Sequence, residues 1–450
     1  MIESLKNLFL NWSGLAKHRP NLYMAITNMG WLVSEKVLRI LLGLVTFVFM
    51  ARHLGPSDFG IFNYALAFLA LFSSIATVGL NGPVVRDIVK EPNEVNLIMG
   101  TSLVLQLIGG LVAFCLLLAT ILIVRPFDSI SFWVVSIIGI ACLFKFSEVS
   151  KYWFEARVQS KYVVIVEAAV FFVFTCIKLA LIYSGLSLIY FAWVSVVEAL
   201  ALALLVLIIY QFKTDNLFKL RFSFVWAKKL LQESWPLILS GLTVILYMRI
   251  DQIMIAQMMS DESVGIYSAA VRISEAWYFI PLAIVSSVFP SIIRFKGEGQ
   301  EKYYVQLQKL FSLMVLISIL VAIPMSLISN WLILTMYGQE FGEAGYVLAL
   351  HVWAGIFVSL GVSSGKWYLN ENLTRLMFYR TLCGAVINIT MNYFLIPFYG
   401  IIGATYATLI SYIFVAFLFD IFNPKTRKIF WMKVDSFFFK GLKPNQFFLK

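Results

Sequence analysis

The chain has 450 residues, of which 61% are hydrophobic and only 13% charged, with a mean hydropathy of +0.87 and a formal net charge of +11. This balance lies far outside the soluble globular range and describes a polytopic membrane protein. The four cysteines, Cys115, Cys142, Cys176 and Cys383, are scattered through apolar runs with no CxxC or histidine pairing, which supports neither a disulfide framework nor a zinc site.

The N-terminal stretch MIESLKNLFLNWSGLAKHRPN has no long apolar run followed by a small-residue cleavage site, so the first span is expected to direct insertion. Windows of about 20 apolar residues, enough to cross roughly 30 Å of hydrocarbon, recur about twelve times. They cover 27–51, 59–83, 97–124, 130–152, 162–184 and 188–211, then 230–258, 265–290, 304–328, 344–367, 375–396 and 402–422. The longest polar break, YQFKTDNLFKLRFSFVWAKKLLQESWP, follows the sixth span. It predicts an N-terminal lobe at 1–211, a linker at 212–229, a C-terminal lobe at 230–422 and a basic tail at 423–450. The expected fold is an all-α integral membrane protein, about twelve transmembrane helices in two pseudo-symmetric six-helix lobes around a central cavity. A weak repeat supports the two lobes: GPSDFGIFNYALAF resembles SDESVGIYSAAVRI, aligning Gly60, Phe62 and Ala65 with Gly265, Tyr267 and Ala270. Six spans per half put both repeats in the same orientation, related by an axis along the membrane normal.

Once the spans alternate sides, nearly all loop Lys and Arg fall on one side, leaving little beyond Arg52 and Arg125 on the other. Both termini are therefore expected in the cytoplasm, and the +11 charge is positive-inside bias rather than a nucleic-acid footprint.

Charges inside the spans point to function. A cation at bilayer depth costs about 2.5–3.5 kcal/mol on insertion scales, so such residues should face protein or a wet cavity. The seventh and eighth spans carry Arg249, Asp251, Arg272 and Glu275, with Ser268, Arg272, Glu275 and Phe279 on one helical face. The first span carries Glu35, Lys36 and Arg39, with Glu35 and Arg39 one turn apart. Lys145 and Glu148, Glu167 and Lys178, and Glu198 follow in spans four to six, and Arg380 in span eleven. Lys151, Lys309, Lys366 and Arg380 lie near enough to a cytoplasmic end to snorkel to headgroups. For Glu35, Glu148, Asp251 and Glu275 two readings stand: they neutralise nearby cations, or one of them is a proton or Na+ site linked to conformational cycling. Asn388 and Asn392, one turn apart, could bond sugar hydroxyls or join helices. His351 reads as a packed polar residue, and GVSSGKW at Gly361 is one residue short of a P-loop and ends in Trp.

The stretch from Arg249 to Pro290, above all DQIMIAQMMSDESVGIYSAAVRISE, together with LIPFYGIIGATYAT from Leu395, resembles the polysaccharide flippases of the multidrug/oligosaccharidyl-lipid/polysaccharide exporter superfamily. The twelve-span, six-plus-six plan extends this resemblance over essentially the whole chain. It implies transport, by alternating access, of an undecaprenyl-diphosphate-linked oligosaccharide from the cytoplasmic to the periplasmic leaflet of a bacterial inner membrane. Such a flippase supplies O-antigen of lipopolysaccharide or a related surface glycan, alongside membrane lipids and polymerase or ligase machinery. An anionic diphosphate calls for cations, and Arg39, Arg249 and Arg272, with Lys36, are the expected substrate-facing residues. No cofactor beyond a coupling cation is expected. The alternatives are a cation-coupled drug exporter or lipid II flippase of the same superfamily, or a membrane glycan polymerase or ligase. The short external loops and the lack of a paired-carboxylate motif disfavour catalysis.

Overall fold

In the computed structural model, backbone is described for residues 20–214 and 217–441, and side chains from Leu38 onward within those ranges except that of Phe218. Fifteen α-helices make up almost all of it. They are α1 (Pro20–Ala76), α2 (Asn81–Lys90), α3 (Val95–Val124), α4 (Ser129–Gly139), α5 (Glu148–Ala156), α6 (Lys161–Tyr183), α7 (Leu188–Thr214) and α8 (Phe224–Met258). Then follow α9 (Asp261–Glu275), α10 (Phe279–Glu298), α11 (Gln300–Tyr337), α12 (Ala344–His351), α13 (Ala354–Asn370), α14 (Thr374–Ala416) and α15 (Arg427–Phe437).

Among the described residues, ten segments are long and apolar enough to cross a membrane. Two of them double back. In α1 the backbone breaks at Gly55, whose φ of 70° is open to glycine but strained for other residues, and Pro56 follows. The rings of Phe47 and Phe59 then lie 4.6 Å apart, whereas twelve residues of straight helix would separate them by about 18 Å. In α14 the break is Gly400, with φ 57°. Asn388 Nδ2 comes within 3.3 Å of Ser411 Oγ, against about 34 Å along a straight helix. Ten segments thus hold the twelve passes read from hydropathy.

The repeat glycines meet. A Cβ at Gly60 would fall 1.7 Å from the Asp261 carbonyl oxygen, and one at Gly265 would fall 2.0 Å from that of Pro56. Only hydrogen fits at either position, which is how α1 after its break and α9 pack backbone to backbone. Ser260 caps α9 by accepting from Ser263 N at 3.2 Å, and Asp261 and Glu262 favour its N-terminal dipole.

The chain divides into two compact units, one made of the chain up to Thr46 with Phe72–Leu239, the other of Phe47–Leu71 with the chain from Ser240 onward. The first is built on a core of Leu80, Val84, Ile98, Tyr152, Phe154 and Leu230. Inside it, Gln106 donates to Thr77 O at 3.0 Å and to Tyr152 Oη at 3.1 Å. The second packs Val285, Phe289, Leu307, Phe311, Leu360 and Ile429. Large apolar residues such as Ile123, Leu204 and Leu327 stay exposed, as expected where the solvent is lipid. Between spans, Arg125 sits 3.0 Å from Asp128, which caps α4. Burial pushes the Asp128 carboxyl up, but the bonds from Ser131 and the charge of Arg125 outweigh it and hold the group below its ordinary value.

Candidate functional site: a cationic cavity beside a buried carboxylate

In the second unit, α8 supplies Arg249 and Gln252, α9 supplies Ser268 and Arg272, and the returning part of α1 supplies Asn63. These five residues line a cavity of about 190 Å³, with Phe47, Val271 and small apolar side chains completing the wall. Helical spacing puts Ser268 and Arg272 on one face of α9, and Glu275 follows one turn later. Glu275 Oε2 holds Arg249 Nη2 at 3.1 Å. Arg272 is different: its guanidinium lies over the Phe47 ring at 4.8 Å, and among the described residues no carboxylate pairs with it. Ser268 Oγ is buried without a hydrogen-bond partner. Two guanidinium groups against one carboxylate leave the cavity positive. With amide and hydroxyl groups beside them, these forks suit an anionic oxygen ligand that also carries hydroxyls.

Asp251, two residues beyond Arg249, is turned into a separate, sealed cluster. Its Oδ2 accepts from Tyr267 Oη at 2.7 Å and Thr408 Oγ1 at 2.6 Å, and its Oδ1 accepts from Asn392 Nδ2 at 3.2 Å. Asn392 also donates to Asn388 Oδ1 at 3.0 Å. Asp251 is 4% exposed, and Asn388, Asn392 and Thr408 no more than 1%. The Asn392 Oδ1 atom is buried with no donor. The carboxylate, the orphaned amide oxygen and the Thr408 hydroxyl are all withdrawn from solvent, so a proton on Asp251 would relieve a buried charge.

The expected pairs are only partly realised. Arg39 belongs to the first unit, where it lies 3.5 Å from Glu167 and over Phe171 at 5.3 Å. The side chains of Glu35 and Lys36 fall outside the described residues. Glu148 pairs with Lys145 at 2.9 Å, one turn back. Glu167 also takes Lys151 at 2.5 Å, and Lys178 pairs with Glu198 at 2.6 Å. In these three pairs each acid neutralises a neighbouring cation. Asn388 and Asn392 do not line the cationic cavity, because their amides are spent on Asp251, on each other and on Ser411. Arg380 does not snorkel: it is 4% exposed and donates to Ser364 Oγ at 3.1 Å. His351 is a packed polar residue, its Nδ1 2.8 Å from Ser274 Oγ. Sequence reading missed Asn63, Gln252, Tyr267 and Thr408. Tyr267 and Thr408 lie inside the two stretches that carried the family resemblance, so a search for oxygen partners of Asp251 would have had short lists to try.

The family described as "Polysaccharide biosynthesis protein" matches residues 25–296, more than half of the chain. The chain belongs to that family. The MatE family matches residues 236–394, so the two overlap over 236–296, which includes Arg249, Arg272 and most of α8 to α10. Among curated relatives, the probable low-salt glycan biosynthesis flippase Agl15 of Haloferax volcanii is 26% identical over 194 residues, 42% of this chain and 40% of the relative. The probable flippase AglR of the same organism is 30% identical over 174 residues, 37% of this chain and 35% of the relative. The matches thus span less than half of either relative. Among solved structures, an inward-facing multidrug resistance MATE family transporter of the MOP superfamily superposes with a TM-score of 0.70 at 14% identity, covering 90% of this chain and 96% of the other. The lipid II flippase MurJ in an inward closed conformation gives 0.66 at 14% identity, covering 90% and 91%. At that identity the likeness establishes the fold alone, an all-helical one with several membrane-length helices.

Proposed function

We propose that this polysaccharide biosynthesis family member is a flippase for a lipid-linked glycan, a transporter rather than a catalyst. The finer assignment is an undecaprenyl-diphosphate-linked repeat unit of O-antigen or a related surface polysaccharide, moved from the cytoplasmic to the periplasmic leaflet of a bacterial inner membrane, with both termini cytoplasmic. The observation that carries the reading is the positive cavity around Arg249 and Arg272, with Asn63, Gln252 and Ser268 beside the guanidinium groups. A diphosphate needs the cations, and a sugar head needs the neutral donors and acceptors. The two probable flippases among the relatives support it. An inside-negative potential contributes about 2.3 kcal/mol per 100 mV for each negative charge carried outward, so export of a diphosphate needs no nucleotide. The Asp251 cluster is the seat we assign to a coupling cation, H+ or Na+, with Glu275 as a structural partner of Arg249. Arg39 and Lys36 are assigned as substrate-facing cations of the first unit.

Deletion of the gene is expected to accumulate complete lipid-linked glycan on the cytoplasmic leaflet, cleared by the wild type. Arg272→Ala should insert normally yet restore less than about a tenth of transport, the loss of one charge-assisted contact being worth about 1.5–3 kcal/mol. Normal clearance by Arg272→Ala would remove its substrate role. Unpolymerised glycan already exposed outside would instead indicate an enzyme acting after the flip.

A further inference from the structure

The GVSSGKW stretch of α13, which is no P-loop, borders a second cavity. About 360 Å³ in volume, it lies within the second unit between α8, α10, α13 and α14. No residue lines both this cavity and the one around Arg249 and Arg272. Its walls include Tyr247, Tyr412, Leu282, Phe357 and Met377.

Two glycines one helical turn apart make room for it. A Cβ at Gly361 would come 3.7 Å from Ala416 Cβ, and one at Gly365 would come 3.8 Å from Met377 Cε, both ordinary contacts. Neither glycine is demanded by a close backbone approach or by a positive φ. What their missing side chains provide is volume.

Arg380 enters this apolar space as a buried cation. Its Nη1 donates to Ser364 and its guanidinium lies over Tyr368 at 4.8 Å. Its Nε is buried with no acceptor, and among the described residues no carboxylate pairs with it. Tyr278, another lining residue, adds a buried aromatic ring to the wall. Lys366 adds an exposed second cation to the lining. A buried charge without a counter-charge is costly, and an unmet guanidinium donor beside an apolar cavity calls for an anion attached to an apolar body. The volume falls in the range of sites that hold drug-sized ligands and exceeds what a bare phosphate fills.

We propose that this cavity binds the head and first carbons of a phosphate-headed lipid, the phosphate on Arg380 with Lys366 beside it and the chain along the tyrosine and aliphatic walls. A bilayer phospholipid and a polyprenyl phosphate share that chemistry. The proposal is independent of the flippase reading.

The test is native mass spectrometry of the full-length protein in detergent, titrated with phosphatidic acid, farnesyl diphosphate, inorganic phosphate and uncharged diacylglycerol. Arg380→Gln should weaken binding of the phosphate lipids by about tenfold or more, and Arg380→Lys should stay within about threefold of wild type. Gly361→Leu, which fills the cavity and leaves Arg380 in place, should weaken the same ligands. Tighter phosphatidic acid would assign the site to bilayer lipid, and tighter farnesyl diphosphate to a polyprenyl carrier. Equal binding of diacylglycerol, or of inorganic phosphate alone, would overturn the proposal. So would unchanged affinity in Gly361→Leu, which decides the matter should Arg380→Gln fail to fold.

Discussion

Asp251 and Arg272 illustrate two ways a membrane span carries charge. Asp251 is closed in by Tyr267, Asn392 and Thr408, three donors from two other helices, so ionisation or ion binding there changes contacts on α8, α9 and α14 together. Arg272 is exposed and stacks on an aromatic face, with no paired carboxylate among the described residues. The two should fail differently. Asp251→Asn keeps the shape of the side chain but removes the charge. It is expected to leave substrate binding within a few-fold of wild type while abolishing any dependence of transport on a Na+ or pH gradient. The check is uptake of labelled lipid-linked glycan into inverted vesicles with each gradient imposed in turn. Transport by Asp251→Asn that still follows one of the gradients would place coupling elsewhere.

Helix contacts set the next level. The meeting of Gly60 and Gly265 leaves no space for a methyl group, since the facing atoms are backbone carbonyls that cannot rotate away. Gly265→Ala should therefore force α1 and α9 apart, at a cost of about 1–3 kcal/mol, read as a lower thermal midpoint of the purified protein. Gly361→Ala, whose Cβ meets only a side chain at ordinary distance, should leave the midpoint nearly unchanged. Also in the second unit, α15 is latched by Lys433, whose Nζ donates to Ala416 O and Asp420 Oδ2, each at 2.6 Å, with the Lys433 and Asp420 side chains fully buried. Tyr368 Oη donates to the same Asp420. Asp420→Asn leaves the ammonium without its counter-charge and should cost about 3–5 kcal/mol, seen as faster hydrogen exchange along α15. Burial pushes the Lys433 ammonium down to about 8, against the pull of Asp420. Between that value and the ordinary value of about 10.4, the docked helix binds fewer protons than the released one. Docking should therefore strengthen as pH rises through that window, giving greater α15 protection once intrinsic exchange rates are corrected. Protection that falls with pH would contradict the assignment.

Over the whole molecule, the proposed export of an anionic head group through the positive cavity makes the membrane potential the expected driving term. Collapsing it with an ionophore at constant ion gradients should slow outward transport several-fold, since each carried charge is worth about 2.3 kcal/mol per 100 mV. Unchanged rates would mean that the substrate's charge is compensated by co-moving ions. Much of this plan was legible in the chain. The bilayer fixes the length of an apolar pass, so twelve passes could be counted even where two pairs share one helical run. The repeat aligned Gly60 with Gly265 because both must admit a backbone neighbour. Arg249, Arg272 and Asp251 stood out because charges in hydrocarbon are expensive and rare. What the sequence could not decide was partnership. Arg249 finds Glu275 at a separation of 26 residues, whereas Asp251 finds Thr408 at 157 and Lys151 finds Glu167 at 16. Arg380 looked like a residue near a membrane surface and is instead buried under α13. Apolar length is a property of each segment alone, set by the thickness of the solvent it crosses. Which acid meets which base, and which cation is left over to meet a ligand, depends on the rotation of packed helices about their axes, and only the tertiary structure fixes that.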